Sequence, residues 1–399
     1  ICVWPTWPSL GLDQRNQFDL YRDLPGGLPA LRAQADSLRL NGTKFFIAYN
    51  PWDESTRSEG HLQGLASLIK ETSADGVVLD TKGESSRELQ EAADAVKPGV
   101  IMYSEGMAVP KDMLGIISGR VHNALYYPPM LNLNKFIRPD FAIFRVAEVF
   151  KEKIKREYAL AFFNGYGTEI NQFAPGHPEW EEEQYRFLGR TTRILRENHS
   201  NFISHHWKPL ISTLRDSVWV NEWSGKQKTV YTVFSLKPEG FQGVLFEIPE
   251  HADKHYIDLW NHEPILVTKQ GQKSYTQVQL EGFNSFELGT NNEGSVSCIA
   301  ELPQLISAKI MNNRLVGRCP QGDKLRIWAG NPAYGKVNKE VSLQGQNAFD
   351  FFIPDLLGRY EGKVVVQAFD QDELLDEVIL YIKPGTPRLI SESIPTAKF

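Results

Sequence analysis

Cysteine is scarce: Cys2, Cys298 and Cys319 are the only ones in 399 residues. Three thiols cannot staple a chain of this length, so a disulfide scaffold is excluded. The one pairing left open is Cys298 with Cys319, which flank a β-rich stretch. No CxxC and no HExxH occurs, and the nine histidines show no metal-ligand spacing, so no metal and no cofactor is expected. The Gly-rich pieces Leu24-Pro25-Gly26-Gly27 and Asn164-Gly165-Tyr166-Gly167 lack the spacing of a phosphate cradle. No run approaches 18 consecutive apolar residues, so no membrane span is expected. Basic blocks are absent and the net charge is −6, which argues against nucleic acid as a partner. An initiating Met is missing too. Ile1-Cys2-Val3-Trp4 already reads as a buried strand, so the chain is expected to be a processed or truncated piece; no signal peptide is visible.

What is present is ordinary globular material. Hydrophobic residues make up 41% and charged residues 23%, enough for a sizeable core, and the length suits two or three domains. The 9 Trp, 14 Tyr and 22 Phe suit stacking on sugars and equally suit β-domain cores. Up to about residue 200, short apolar runs alternate with helical periodicity. Residues 1–7 read as a strand, 12–27 as a polar connection, and 28–40 as a helix on Leu28, Leu31, Ala35 and Leu38. A strand over 44–49 runs into Asn50-Pro51-Trp52-Asp53, and residues 64–72 belong to a helix. Further on, a strand is expected at 120–126, a helix over 144–158, a strand over 159–164 and a long charged helix over 178–198.

The stretch from Ala74 to Gly106 organises this half. Val77-Val78-Leu79 stops at Asp80, and Val100-Ile101-Met102-Tyr103 stops at Glu105. Between them Ser85-Ser86-Arg87-Glu88 has capping-box spacing, and Leu89, Ala92, Ala93 and Val96 share a helical face until Pro98-Gly99. This is a strand–helix–strand crossover of the length a parallel pair needs. It puts two acids at the carboxyl ends of neighbouring strands, where α/β barrels keep their chemistry.

From Val218 the texture changes to short strands at turn-like spacing, which reads as an antiparallel sandwich, and a similar series of about seven strands follows from Leu305. The expected organisation is a (β/α) barrel over 1–216, a β-sandwich over 217–292 and an immunoglobulin-like sandwich over 299–385. The last module is expected to hold no catalytic acid, so that deleting it leaves turnover nearly unchanged.

Glycosidic cleavage needs one ionised and one protonated carboxyl on either side of an anomeric carbon. Asp80, rigid after three aliphatics, is the candidate for the ionised group, with Lys82 and Arg57 as cations to keep it so. Glu105, beside Tyr103, is the candidate acid, with Glu169 as the alternative. Aromatics recur at the same strand ends: Trp4, Trp7, Tyr49, Trp52, Tyr103, Tyr126, Phe163 and Tyr166, about half of them expected to pack the core. With the polar Asn50, Asp53 and Asn164 they make a cleft that offers rings to a sugar's C–H face and hydrogen bonds to its hydroxyls.

The order of Trp-Pro near the first strand, KFFIAYNPWD, DGVVLDTK and a further carboxylate strand resembles the (β/α)8 glycoside hydrolases related to α-galactosidases and α-glucosidases. NPWDESTRSEG, AFFNGYGTEI and RTTRILRENHSNFISHHWKPL resemble large bacterial members of that group. The resemblance covers roughly residues 1–290. It implies a (β/α)8 (TIM) barrel and Asp80 as nucleophile. In the α-galactosidase relatives the acid is an Asp on a later strand, whereas Glu105 follows on the next strand, an arrangement more like α-amylases. About six barrel strands are counted before residue 200, so the start of the barrel is expected to be missing. The expected activity is that of a retaining, exo-acting glycoside hydrolase on a carbohydrate substrate, in the periplasm, at the cell surface or secreted. The competing expectation is a non-catalytic carbohydrate-binding protein on the same scaffold.

Overall fold

The computed structural model describes residues 1–5, 7, 15–53, 59–106, 110–113, 115–121, 134–147, 153–170, 179–283, 293–333, 339–343 and 347–382. Two compact units are present, one of Ile1–Tyr126, Asn132–Ala147 and Tyr166–Ile170, the other of Tyr127–Leu131, Glu148–Gly165 and Asn171–Phe399. Among the described residues no helix is long and apolar enough to cross a membrane.

The first unit is built on seven parallel strands that lie side by side in chain order. They are β1 (Cys2–Val3), β2 (Phe46–Tyr49), β3 (Gly76–Leu79), β4 (Ile101–Ser104), β5 (Ser118–Val121), β6 (Ala142–Ala147) and β7 (Gly167–Ile170). Between them run α1 (Gln17–Arg22), α2 (Gly27–Leu40), α3 (His61–Thr72), α4 (Arg87–Asp94) and α5 (Asn134–Ile137). Every residue of β3 is buried, as expected for a parallel strand covered on both faces. Chain-order pairing with right-handed crossovers sends the connecting helices to one side, and α1 packs beside α2, α2 beside α3 and α3 beside α4. A sheet loaded on one side in this way curls. Laid flat, β1 and β5 would stand roughly 19 Å apart at about 4.8 Å per strand, yet the Arg120 guanidinium of β5 lies 5.9 Å from the Trp4 ring just after β1. The amino ends of the strands are tied by Asp75, which accepts from Lys97 at 2.7 Å and from the Phe45 amide at 2.9 Å.

Local sequence explains most elements and some departures. Asn16 accepts from the Phe18 and Asp19 amides at 3.0 Å and so starts α1 inside what reads as a polar connection. The cap of α4 is Ser86, not Ser85: its hydroxyl accepts from the Leu89 amide at 3.2 Å. The expectations over 144–164 hold only at 155–158, which are helical as expected. Phe144 lies in strand β6, and the run expected as a strand is helix α6 (Lys155–Phe163). All but the first residue of α6 are buried, and a short apolar run buried all round has no periodicity that separates helix from strand. The strand that follows is the polar Gly167–Ile170, which raises the count to seven and places Glu169 inside a strand.

In the second unit α6, α7 (Glu181–Glu197) and α8 (His199–Phe202) precede antiparallel sheets. The Phe163 carbonyl at the end of α6 accepts from the Asn221 amide at 2.9 Å and the Thr232 hydroxyl at 2.8 Å. A six-stranded and a three-stranded sheet share a core of Val220, Tyr231, Val233, Leu245, Phe246 and Ile299 among others. The six-stranded sheet takes in Trp207–Lys208 at its edge and Ser295–Pro303 in its interior, so it reaches past both limits of the expected 217–292 module. A further three-stranded and four-stranded sheet share a core around Leu315, Leu325, Ile327, Phe349, Val364 and Val366. Cys298 and Cys319 are buried and separate thiols, so the pairing left open by the sequence is not made.

Candidate active site

Parallel pairing sets the site. Leu79 of β3 is in register with Ser104 of β4, so Asp80 and Glu105, one residue further along, are neighbours at the carboxyl ends. The ladder continues through them: the Asp80 amide donates to the Tyr49 carbonyl at 2.9 Å and the Glu105 amide to the Leu79 carbonyl at 3.2 Å. The loops that follow are buttoned together by Ser104, whose hydroxyl donates to the Lys82 carbonyl at 2.7 Å and accepts from the Gly106 amide at 2.9 Å. A Cβ on Gly106 would stand 2.5 Å from the Gly83 Cα, so glycine is what allows this approach.

Arg120 is the hub, and it is the residue that sequence reasoning missed. From β5, 6% exposed, it pairs with Glu105 through one terminal nitrogen and with Glu169 of β7 through the other, the latter at 2.5 Å. The second oxygen of Glu105 accepts from the Thr81 amide, and the second oxygen of Glu169 accepts from the Tyr103 hydroxyl. Thr81 adopts a left-handed φ of 53°, an uncommon state for a branched residue, and its amide meets Glu105 there. Burial, with the Glu169 charge alongside, pushes the Tyr103 hydroxyl far up, so it stays neutral and donates. The signal available in the sequence was an arginine inside a four-residue strand, a place where a charge needs partners.

Asp80 differs. It is 8% exposed, and burial raises its pKa above the ordinary carboxylate value; the Trp7 indole and the Arg120 charge act in the opposite direction. The indole N–H is buried and lies outside ordinary hydrogen-bond geometry with any acceptor. Lys82, expected to hold Asp80 ionised, instead sits 5.8 Å over the Trp52 ring and 4.0 Å from Glu84. The cation acting on Asp80 is Arg120.

The remaining expected residues divide. Trp4 and Trp7 lie with ring centroids 6.2 Å apart, and Trp52 is 62% exposed. Tyr49 is buried and its hydroxyl meets His61 Nδ1 at 3.0 Å. The Asn50 side chain accepts from the Trp52 amide at 2.8 Å, and Asp53, buried, accepts from the Gln17 amide at 3.0 Å at the start of α1. Both therefore shape the loop after β2. Asn164, buried at the end of α6, donates to the Leu160 carbonyl at 2.9 Å. Arg57 lies outside the described residues. Among the described residues no three His, Cys, Asp or Glu side chains gather as a metal site.

The curled parallel sheet thus gathers Asp80 and Glu105 just past their strand ends, Glu169 within β7, Arg120 and several aromatics on the side where α/β barrels keep their chemistry. No protein-family model matches the chain, and no curated protein does. Solved structures do. A debranching enzyme from Nostoc punctiforme is similar at a TM-score of 0.50 with 9% identity, over 74% of this chain and 85% of that one. An α-amylase from Geobacillus thermoleovorans, complexed with acarbose, is similar at 0.49 with 13% identity, over 75% of this chain and 88% of that one. A cyclomaltodextrinase follows at 0.49 with 13% identity, over 74% and 68%. The first likeness is one of fold; the other two are too slight to carry an argument.

Proposed function

We propose that the chain is a retaining, exo-acting glycoside hydrolase that removes terminal sugars from oligo- or polysaccharides, with Asp80 and Glu105 as the acting pair. The observation that carries this reading is the gathering of Asp80, Glu105, Glu169 and Arg120 around the carboxyl ends of parallel strands. Such cleavage asks for two carboxyl groups in unlike environments. Here one is buried beside an indole and the others lie on a guanidinium. Trp4, Trp7 and the exposed Trp52 supply ring faces for sugar C–H groups. The fold is one that a debranching enzyme also uses, which is support by analogy. In this reading the substrate is met in the periplasm, at the cell surface or outside the cell, and the last module, expected over 299–385 but starting after Pro303, is immunoglobulin-like and without a catalytic acid.

One observation favours a second reading, a carbohydrate-binding protein without turnover: both oxygens of Glu105 and of Glu169 already have protein donors. Screening α- and β-nitrophenyl glycosides, with NMR of the first-formed anomer, separates the two. The proposal expects hydrolysis of at least one glycoside with retention and release of a terminal sugar. Binding on a glycan array with no hydrolysis of any substrate would overturn it in favour of the second reading.

A further inference from the structure

Resting on the glycosidase reading above, we propose that Asp80 is the proton donor and Glu105 the ionised nucleophile, with Arg120 as the positioning residue that fixes this division. It reverses the assignment that the sequence suggests. Glu105 receives a guanidinium on one oxygen and the Thr81 amide on the other. A protonated carboxyl would turn an O–H toward one of those donors, so the charged form is the one that fits. Glu169 is held in the same way by Arg120 and Tyr103. Asp80 has no such pair of donors: the indole of Trp7 falls short of a hydrogen bond, and Arg120 is committed to the two glutamates. Burial favours its neutral form. The left-handed Thr81 follows Asp80 directly, so one strained residue joins the two roles.

The steps balance. A Glu105 oxygen bonds to the anomeric carbon while the glycosidic C–O bond breaks; its electron pair stays on the leaving oxygen, which takes the Asp80 proton. The Asp80 carboxylate then removes a proton from water, the water oxygen bonds to the anomeric carbon, and the bond to Glu105 breaks.

The test uses Asp80→Ala and Glu105→Ala in the full chain, each checked for folding by circular dichroism. Asp80→Ala is expected to keep its first step on a nitrophenyl glycoside and to lose roughly 10²–10⁴-fold on a substrate with a poor leaving group. Azide should rescue it as a glycosyl azide of retained configuration. Glu105→Ala should be inactive on every substrate, and azide should yield only the inverted product. In Arg120→Met, two glutamates lose their shared cation, so the acidic limb of kcat/KM should move up by about one pH unit or more; Arg120→Lys should restore part of it. The reverse azide pattern, or an unmoved limb in Arg120→Met, overturns the proposal and leaves the glycosidase reading standing. Absence of hydrolysis by the wild-type protein overturns both.

Discussion

Removing the Glu377 side chain should cost much of the stability of its module. It lies in strand Glu373–Ile382 at 0% exposure and accepts from His262 Nδ1 at 2.8 Å and from the Gln367 amide at 2.8 Å. On the far side of the imidazole Arg193 donates to His262 Nε2 at 2.7 Å, which fixes the neutral Nδ1–H tautomer. Glu377→Ala leaves the buried imidazole and the Gln367 amide without an acceptor, and breaking a buried pair from one side costs about 3–5 kcal/mol. At about 4–8 °C per kcal/mol for a module of 60–100 residues, the melting temperature of the last two sheets should fall by at least roughly 12 °C. Glu377→Gln should also destabilise, since its amide nitrogen must face one of two donors and the histidine cannot change tautomer without meeting Arg193. Acid should act in the same direction. Burial holds His262 below its ordinary 6.5; burial pushes Glu377 up, but His262 and Gln367 outweigh it and leave it below its ordinary 4.5. Both folded values lie below the unfolded ones, so the unfolded chain binds more protons, and stability is full above about pH 6.5 and falls as the pH drops. Calorimetry of wild type, Glu377→Ala and His262→Asn between pH 4 and 8 reads this, with His262→Asn flattening the upper part of the slope. A loss below about 1 kcal/mol in Glu377→Ala would refute the reasoning.

Two further outcomes follow from single contacts. Ser86→Ala should cost about 0.5–2 kcal/mol in urea unfolding of the first unit, whereas Ser85→Ala, at the position with capping-box spacing, should leave it unchanged. Deleting the chain after Pro303 should cost stability, even though the segment is expected to hold no catalytic acid. It strands the buried Lys228, which is paired with Glu373 at 2.8 Å and donates to the Leu374 carbonyl, and it removes Glu377 from His262. The truncated protein should melt at a lower temperature and lose soluble yield; equal stability would contradict this.

The crossover from β3 to β4 was legible because each apolar run ends on a carboxylate and the helix between them has a clear face and a stop. Register then brings Asp80 and Glu105 together with no further information. What sequence could not supply was long-range partnership. Arg120 reads as one charge in a short strand until strand order sets β4 directly beside it and β7 two strands away, within reach of Glu105 and Glu169. Nor does sequence show that Asn50 and Asp53 have structural work to do, the Asn50 side chain accepting from the Trp52 amide and the Asp53 carboxylate from the Gln17 amide. Residues 159–163 misled for a simpler reason: burial on all sides of their helix erases the periodicity that tells helix from strand.

If the Asp80–Glu105 cluster hydrolyses glycosides, the Asp80→Asn/Glu105→Gln double variant should lose the activity that the wild-type protein shows. Both would be assayed on the nitrophenyl glycoside that the screen selects, with melting temperatures recorded beside the rates. The double variant should show at least roughly 10⁴-fold lower kcat/KM with its fold intact. Equal rates in the two proteins would place the chemistry elsewhere and contradict the account.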